Sequence, residues 1–185
     1  MKCVVKLGGS LVKNDEILNC LNSIEKWTVP TIIVPGGGAF ADTVRMSQTH
    51  WQFNDSIAHR MAVLAMQQTA LLFHGLSPNI PLFDSVALIN HDVSHRIWSP
   101  TLSDLDAAGL PHSWELSSDS LAAWLATTWQ ADRLIVVKSA ADCENASIST
   151  LQQTGVLDAL FHQYIDPTKL QIKIVHYAQL TTLHD

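Results

Sequence analysis

Three charged side chains stand where folding alone would favour something else. Lys6 lies one residue short of the end of an apolar run, Lys138 directly follows the aliphatic run Arg133–Val137, and Asp119 opens an amphipathic stretch. An acid at a helix start has an ordinary explanation, since a carboxylate near the positive end of the helix dipole is worth ~0.3–1 kcal/mol. A lone lysine near a strand end has one too, a cation snorkelling from an edge strand over polar surface. Two lysines at strand tips with an aspartate at a helix start suit a more specific task. Phosphoryl transfer spreads negative charge over equatorial oxygens, so the protein's work is to position groups and stabilise charge. Two ammonium groups can flank the migrating group while a carboxylate between them offsets their repulsion. That repulsion matters, because unit charges 4 Å apart interact by about 4 kcal/mol at an effective dielectric near 20.

Two glycine clusters follow strands in the same way. Gly8-Gly9-Ser10 comes after Lys6-Leu7, and Gly36-Gly37-Gly38 comes after Pro30–Val34. Glycines at such junctions let backbone amides close on an anion beyond the carboxyl ends of parallel strands. The stretch Gly36–Ala41 also satisfies G-x-G-x-x-A, with Asp55 further on, which raises a nicotinamide-dependent oxidoreductase as a rival. Against it, Asp55 falls at a helix start rather than at a strand tip, and the junction follows the second strand rather than the first. No G-x-x-x-x-G-K-[ST] loop is present.

The elements that must carry these residues alternate. Strands are expected at Lys2–Leu7, Pro30–Val34, Pro81–Phe83, Arg96–Trp98, Arg133–Val137 and Leu170–Val175. Helices are expected from an Asn14 cap to about Lys26, over Phe40–Gln48 and Asp55–Phe73, at Ser85–His91, from Ser118 to Trp129, and within Ser149–Tyr164 with a break at Gly155. In Asp55–Phe73 the residues Ile57, Met61, Leu64, Ala65, Gln68 and Leu72 recur at helical spacing and read as a core face, or as a dimer face. Ser118 or Asp119 is placed to cap its own helix. Continuously apolar strands alternating with helices imply an α/β fold, a mainly parallel sheet covered on both faces, in one domain over residues 1–185.

Composition narrows the classes. Of 185 residues, 47% are hydrophobic and 15% charged, which excludes a disordered chain and a coiled coil. Eleven Lys plus Arg against seventeen Asp plus Glu give a net charge of −6, arguing against nucleic-acid or anionic-membrane binding. Three cysteines, Cys3, Cys20 and Cys143, without C-x-x-C spacing indicate neither a disulfide framework nor a zinc site. With no apolar run long enough to span a bilayer and no signal-peptide pattern, a cytoplasmic protein is expected.

The blocks Val4–Ser10, Ile33–Gly38 and Ser118–Ala123, in that order, resemble the signature blocks of the amino acid kinase superfamily. That resemblance implies a three-layer α/β/α sandwich, often dimeric, ATP as phosphoryl donor, and Mg²⁺ held chiefly by the ATP phosphates with no protein metal cage. It implies catalytic roles for Lys6, Asp119 and Lys138, and nucleotide contacts from Gly8, Gly9, Ser10, Ser118 and Asp142. Gly36, Gly37 and Gly38 would face the acceptor. Within the superfamily, Pro35–Asp42 with Arg45, Ala58–Ala62, Ala65–Gln68, Trp114 before Ser118–Ala126, and Val156-Leu157-Asp158 with Phe161 resemble the small kinases of methanofuran biosynthesis. Those act on an aminomethylfuran methyl phosphate, a small acceptor for which Arg45 and His59 are the candidate contacts. One departure stands out: the family's Asp-Gly after the nucleotide-side strand is Asp142-Cys143 here. It supports the alternative of a catalytically impaired nucleotide- or metabolite-binding member with a regulatory or storage role.

Overall fold

Six strands form one all-parallel sheet in the order β3-β4-β2-β1-β5-β6 in the computed structural model, which describes residues 1–13, 16–89, 94–139 and 146–180. The strands are β1 (Cys3–Leu7), β2 (Thr31–Pro35), β3 (Leu82–Phe83), β4 (Arg96–Trp98), β5 (Arg133–Lys138) and β6 (Gln171–His176). The expected mainly parallel α/β architecture is therefore present. The central strands β1 and β2 are buried at every residue, which is why their sequences run apolar without alternation. Lys138 is the last residue of β5 rather than the first beyond it.

Period-two geometry splits the strands between two cores. On one face Val4, Ile32, Val34, Trp98, Leu134 and Val136 pack against α5 (Ser118–Thr128). On the other, Val5, Leu7, Ile33, Ile97, Ile135 and Val137 pack with Ile17, Cys20, Leu21 and Ile24 of α1 (Glu16–Ile24). The expected Asn14 cap of α1 lies outside the described residues. Cys3 and Cys20 are buried, and burial followed by the nearby Glu16 charge pushes Cys20 up to about 12.

Helix α2 (Gly38–Trp51) begins on the glycine triplet itself, earlier than expected, and stops where Gln52 turns left-handed at φ 56°. Helix α3 (Asp55–Leu76) starts at Asn54, whose side chain accepts from the Ile57 amide at 3.0 Å, and outruns Phe73 by nearly a turn. Its inward face is not the stripe expected. Ala58, His59, Val63, Ala65, Met66, Thr69, Ala70 and Phe73 are buried, whereas Ile57 and Leu64 are 47% and 48% exposed. Apolar residues lie on both sides of this helix, so periodicity defines stripes without saying which one faces the core.

The middle of the chain holds α4 (Leu102–Ala107), which has no counterpart among the expected helices, capped by Thr101. In place of a helix at Ser85–His91 there is a short 3-10 turn at Val86–Leu88, with residues 90–93 outside the described set. The expected break at Gly155 is real: it adopts φ 70° after α6 (Ile148–Gln153), and only a 3-10 turn, Phe161–Tyr164, follows. A short α7 (Tyr177–Leu180), also unexpected, closes the described chain. No helix among the described residues is long and apolar enough to cross a membrane.

Candidate active site

Strand register brings the two lysines together. Lys6 of β1 pairs with Val136 of β5, and Lys138 lies two residues beyond Val136, so both side chains leave the same face of the sheet at adjacent strand tips. Helix α5 crosses that face and carries Asp119 in its first turn. The carboxylate bridges the pair: Lys6 Nζ is 2.8 Å from Oδ1 and Lys138 Nζ donates to Oδ2 at 2.6 Å. Lys6 is 5% and Asp119 3% exposed, so these charges interact with little solvent screening.

Burial alone would push the Asp119 carboxyl up, but Lys6 and Lys138 outweigh it and hold it below the usual carboxylate range. Lys138 is pulled below its ordinary value by burial and then by the neighbouring Lys6 charge, with Asp119 working the other way. Asp119 is thus anionic between Lys6 and Lys138, and its charge opposes the fall of Lys138.

The start of α5 is not capped as expected. Ser117 occupies the N-cap position, but its side chain caps nothing within the helix. The carboxylate of Asp158 accepts from the Ser117 amide at 3.1 Å, the Ser117 hydroxyl at 2.6 Å and the Ser120 amide at 2.9 Å. In the sequence Asp158 belongs to the Val156-Leu157-Asp158 block and carries no assigned role. The available signal was an acid directly after Val156-Leu157, where apolar packing prevails.

The two glycine loops interlock backbone to backbone. A methyl group at Gly9 would overlap N and Cα of Gly38, and one at Gly36 would meet the Gly9 amide nitrogen at 2.7 Å. Gly38 sits at φ 55°, and the Gly36 amide donates to the Leu7 carbonyl at 2.9 Å. The side chains of Ser10 and Ser139 touch at 3.0 Å, joining the tips of β1 and β5.

These loops floor a cavity of about 230 Å³. Gly9, Ser10, Gly36, Gly37, Gly38 and Ser118 line it together with Arg45 and His59, so residues expected on the nucleotide and acceptor sides share one chamber. The wall reaches Ser118 but not Asp119, the next residue, and Gly8 lies beside Lys6 Nζ rather than on the wall. Asp142 falls outside the described residues. Trp114, quoted in sequence only as a neighbour of α5, turns out to organise the wall. The Arg45 guanidinium stacks 3.8 Å over its ring, and its indole N–H donates to Gln48 Oε1 at 2.7 Å.

His59 is 3% exposed, and its ring lies parallel to His112, centroids 5.4 Å apart. Burial lowers its pKa, partly opposed by the contact of Nδ1 with the Ser113 carbonyl at 3.2 Å. A carbonyl only accepts, so Nδ1 carries the proton, and Nε2 is a buried acceptor with no partner among the described residues. Asp106, 2.6 Å from His112 Nε2, fixes the outer ring of the stack.

Comparison with known proteins identifies the family. The profile of the Amino acid kinase family matches residues 1–111, and the chain belongs to that family. It is 26% identical over 138 residues to the [5-(aminomethyl)furan-3-yl]methyl phosphate kinase of Methanocaldococcus jannaschii, covering 72% of this chain and 63% of that relative's length. The uridylate kinase of Archaeoglobus fulgidus superposes over 98% of this chain and 94% of its own, with 16% identity and a TM-score of 0.69. The aspartate kinase of Synechocystis does so over 96% of this chain but 38% of its own, with 11% identity and a TM-score of 0.72.

Proposed function

We propose that the chain is an ATP-dependent phosphotransferase that adds a phosphoryl group to a small phosphate monoester of the aminomethylfuran methyl phosphate type, giving a diphosphate. The observation that carries this reading is the bridge Lys6–Asp119–Lys138, at 2.8 and 2.6 Å, beside interlocked glycine loops and a small cavity. Lys6 and Lys138 stabilise the charge of the migrating group, and Asp119 holds them in register without taking part in bond-making. The cavity, lined by Arg45 and His59 among others, receives an anionic acceptor. Asp119 is committed to two lysines, and no acidic or histidine cluster able to hold a metal occurs among the described residues. On this reading Mg²⁺ is carried by the donor's phosphates, whose negative charge it offsets. The rest of the reading is a single domain over residues 1–185, working in the cytoplasm. Strands from both halves of the chain interleave in one sheet, in accord with one domain.

The decisive test supplies ATP, Mg²⁺ and the aminomethylfuran methyl phosphate, and follows ADP release together with phosphorus NMR of the product. A diphosphate signal is expected. Calorimetric ATP binding with no transfer to any member of a phosphate-ester panel would instead establish the impaired-binder alternative. In the active enzyme, Arg45→Ala is expected to raise KM for the acceptor by roughly tenfold or more, since a charge-assisted contact of 1.5–3 kcal/mol is lost, while KM for ATP stays within a few-fold. The opposite pattern would move Arg45 to the nucleotide side.

The outward stripe of α3 supports a dimer. Ile57, Leu64 and Leu71 recur every seven residues and are 47%, 48% and 61% exposed, a self-complementary apolar ridge suited to a two-fold contact between copies. Leu71→Glu is expected to convert a dimer to a monomer in sedimentation velocity; a monomeric parent chain would refute this contact.

A further inference from the structure

We propose that Asp158 is a positioning residue for the transfer site, clamping the start of α5 so that Asp119 stays between Lys6 and Lys138. The inference rests on the phosphotransferase reading of that triad. Asp119 lies between the two residues whose amides Asp158 holds, Ser117 and Ser120, so any slip of the clamp moves the bridging carboxylate directly. The clamp is itself anchored. Gln152 Nε2, at the end of α6, donates to the carbonyls of Asp158 and Ala159 at 2.8 and 2.7 Å. The strut therefore runs from α6 through the 158 loop into α5, joining a late segment of the chain to side chains at the tips of β1 and β5.

Charge balance completes the argument. Among the described residues, the charged groups that act on Asp158 are Asp119 from α5, Lys6 from β1 and Lys138 from β5. With Asp158 ionised, two cations face two carboxylates. Burial and then the Asp119 charge push the Asp158 carboxyl above its ordinary value, while the Ser117 and Ser120 hydrogen bonds and Lys6 pull it back. The ionised form accepts all three donors as charge-assisted bonds, whereas a neutral carboxyl accepts more weakly and forces the Ser117 hydroxyl bond to reverse. The clamp consequently loosens as pH falls through this raised value, and the acid limb of kcat reports it.

Two variants test the proposal in opposite directions. Asp158→Asn keeps the shape but cannot titrate. It is expected to lower kcat by roughly 10–100-fold, the scale of an ångström-sized misplacement, with KM for ATP within about threefold and with the acid limb moved to lower pH. Ser117→Ala keeps the carboxylate and strips the 2.6 Å hydroxyl donor that favours its ionised form, so the acid limb should move to higher pH. Should Asp158→Asn fail to fold in a thermal melt, Ser117→Ala still decides. Wild-type acid limbs in both variants, or a wild-type kcat in Asp158→Asn, overturn the positioning role while leaving the phosphotransferase reading intact. Absence of any transfer by the parent protein overturns that reading itself.

Discussion

Asp119→Asn is expected to lower kcat by about 100-fold or more, on the scale of losing a preorganised charge-stabilising group, and to destabilise the fold at the same time. The substitution preserves shape and removes one charge, leaving the Lys6 and Lys138 ammonium groups in a site 5% and 15% exposed at Lys6 and at the Lys138 side chain. Removing one partner from a buried ionic cluster costs about 3–5 kcal/mol, because the remaining charge is unpaired and desolvated. The pH dependence distinguishes this cause from a packing defect. Lys138 is already held below its ordinary value by burial and Lys6, and Asp119 is what opposes that fall, so the variant lowers it further. A lysine whose folded pKa lies below its unfolded one destabilises while protonated, and the penalty fades as pH rises through the folded value. The melting-temperature deficit should therefore shrink between neutral and alkaline pH, and the alkaline limb of any residual activity should move to lower pH. A deficit independent of pH would mean that the bridge is not an electrostatic device.

The site was legible where its logic is local. A lysine one residue short of a strand's end, another at a strand's end and an acid at a helix start are visible as residue types in a pattern, and β1–β5 register is what converts the pattern into a 2.8 and 2.6 Å bridge. Asp158 resisted because its role exists only across 38 and 41 residues of separation, as a cap supplied to someone else's helix. Ser118 and Asp119 look like self-sufficient caps on their own, so nothing in the local sequence asks for an outside carboxylate. Helix α3 failed differently. Its 22 residues touch both cores, with Val63 and Met66 in one and Ala70 and Phe73 in the other, so its buried face does not reduce to a single stripe. Trp114 was equally hidden, since its partners Arg45 and Gln48 come from α2. In each case the missing term was tertiary packing, which outweighs local preference.

The glycines make the sharpest structural prediction, because they do not stand for the same thing. Gly9→Ala is expected to cost at least the 1–3 kcal/mol typical of overpacking and to reduce kcat by about 100-fold, the scale of an ångström-sized displacement of the loops. The added methyl meets backbone, N and Cα of Gly38, rather than a side chain that could rotate away. Neither loop is free to yield. Leu7 and Pro35 are paired in the β1–β2 ladder just before the loops, the Gly36 amide is bonded to the Leu7 carbonyl, and Gly38 at φ 55° already uses a conformation that disfavours other residues. Gly8→Ala, one position earlier, places its methyl in ordinary contact at 3.4 Å from the Val137 carbonyl oxygen and 3.6 Å from Lys6 Nζ, so the fold should hold. Gly75→Ala, near the end of α3 with nothing within 4 Å, should stabilise by roughly 0.4–1 kcal/mol through the unfolded state alone. Thermal unfolding of the three variants side by side checks the order Gly75→Ala above Gly8→Ala above Gly9→Ala. Equal melting temperatures for the last two would show that the loops do not interlock, and that the floor of the cavity is built some other way.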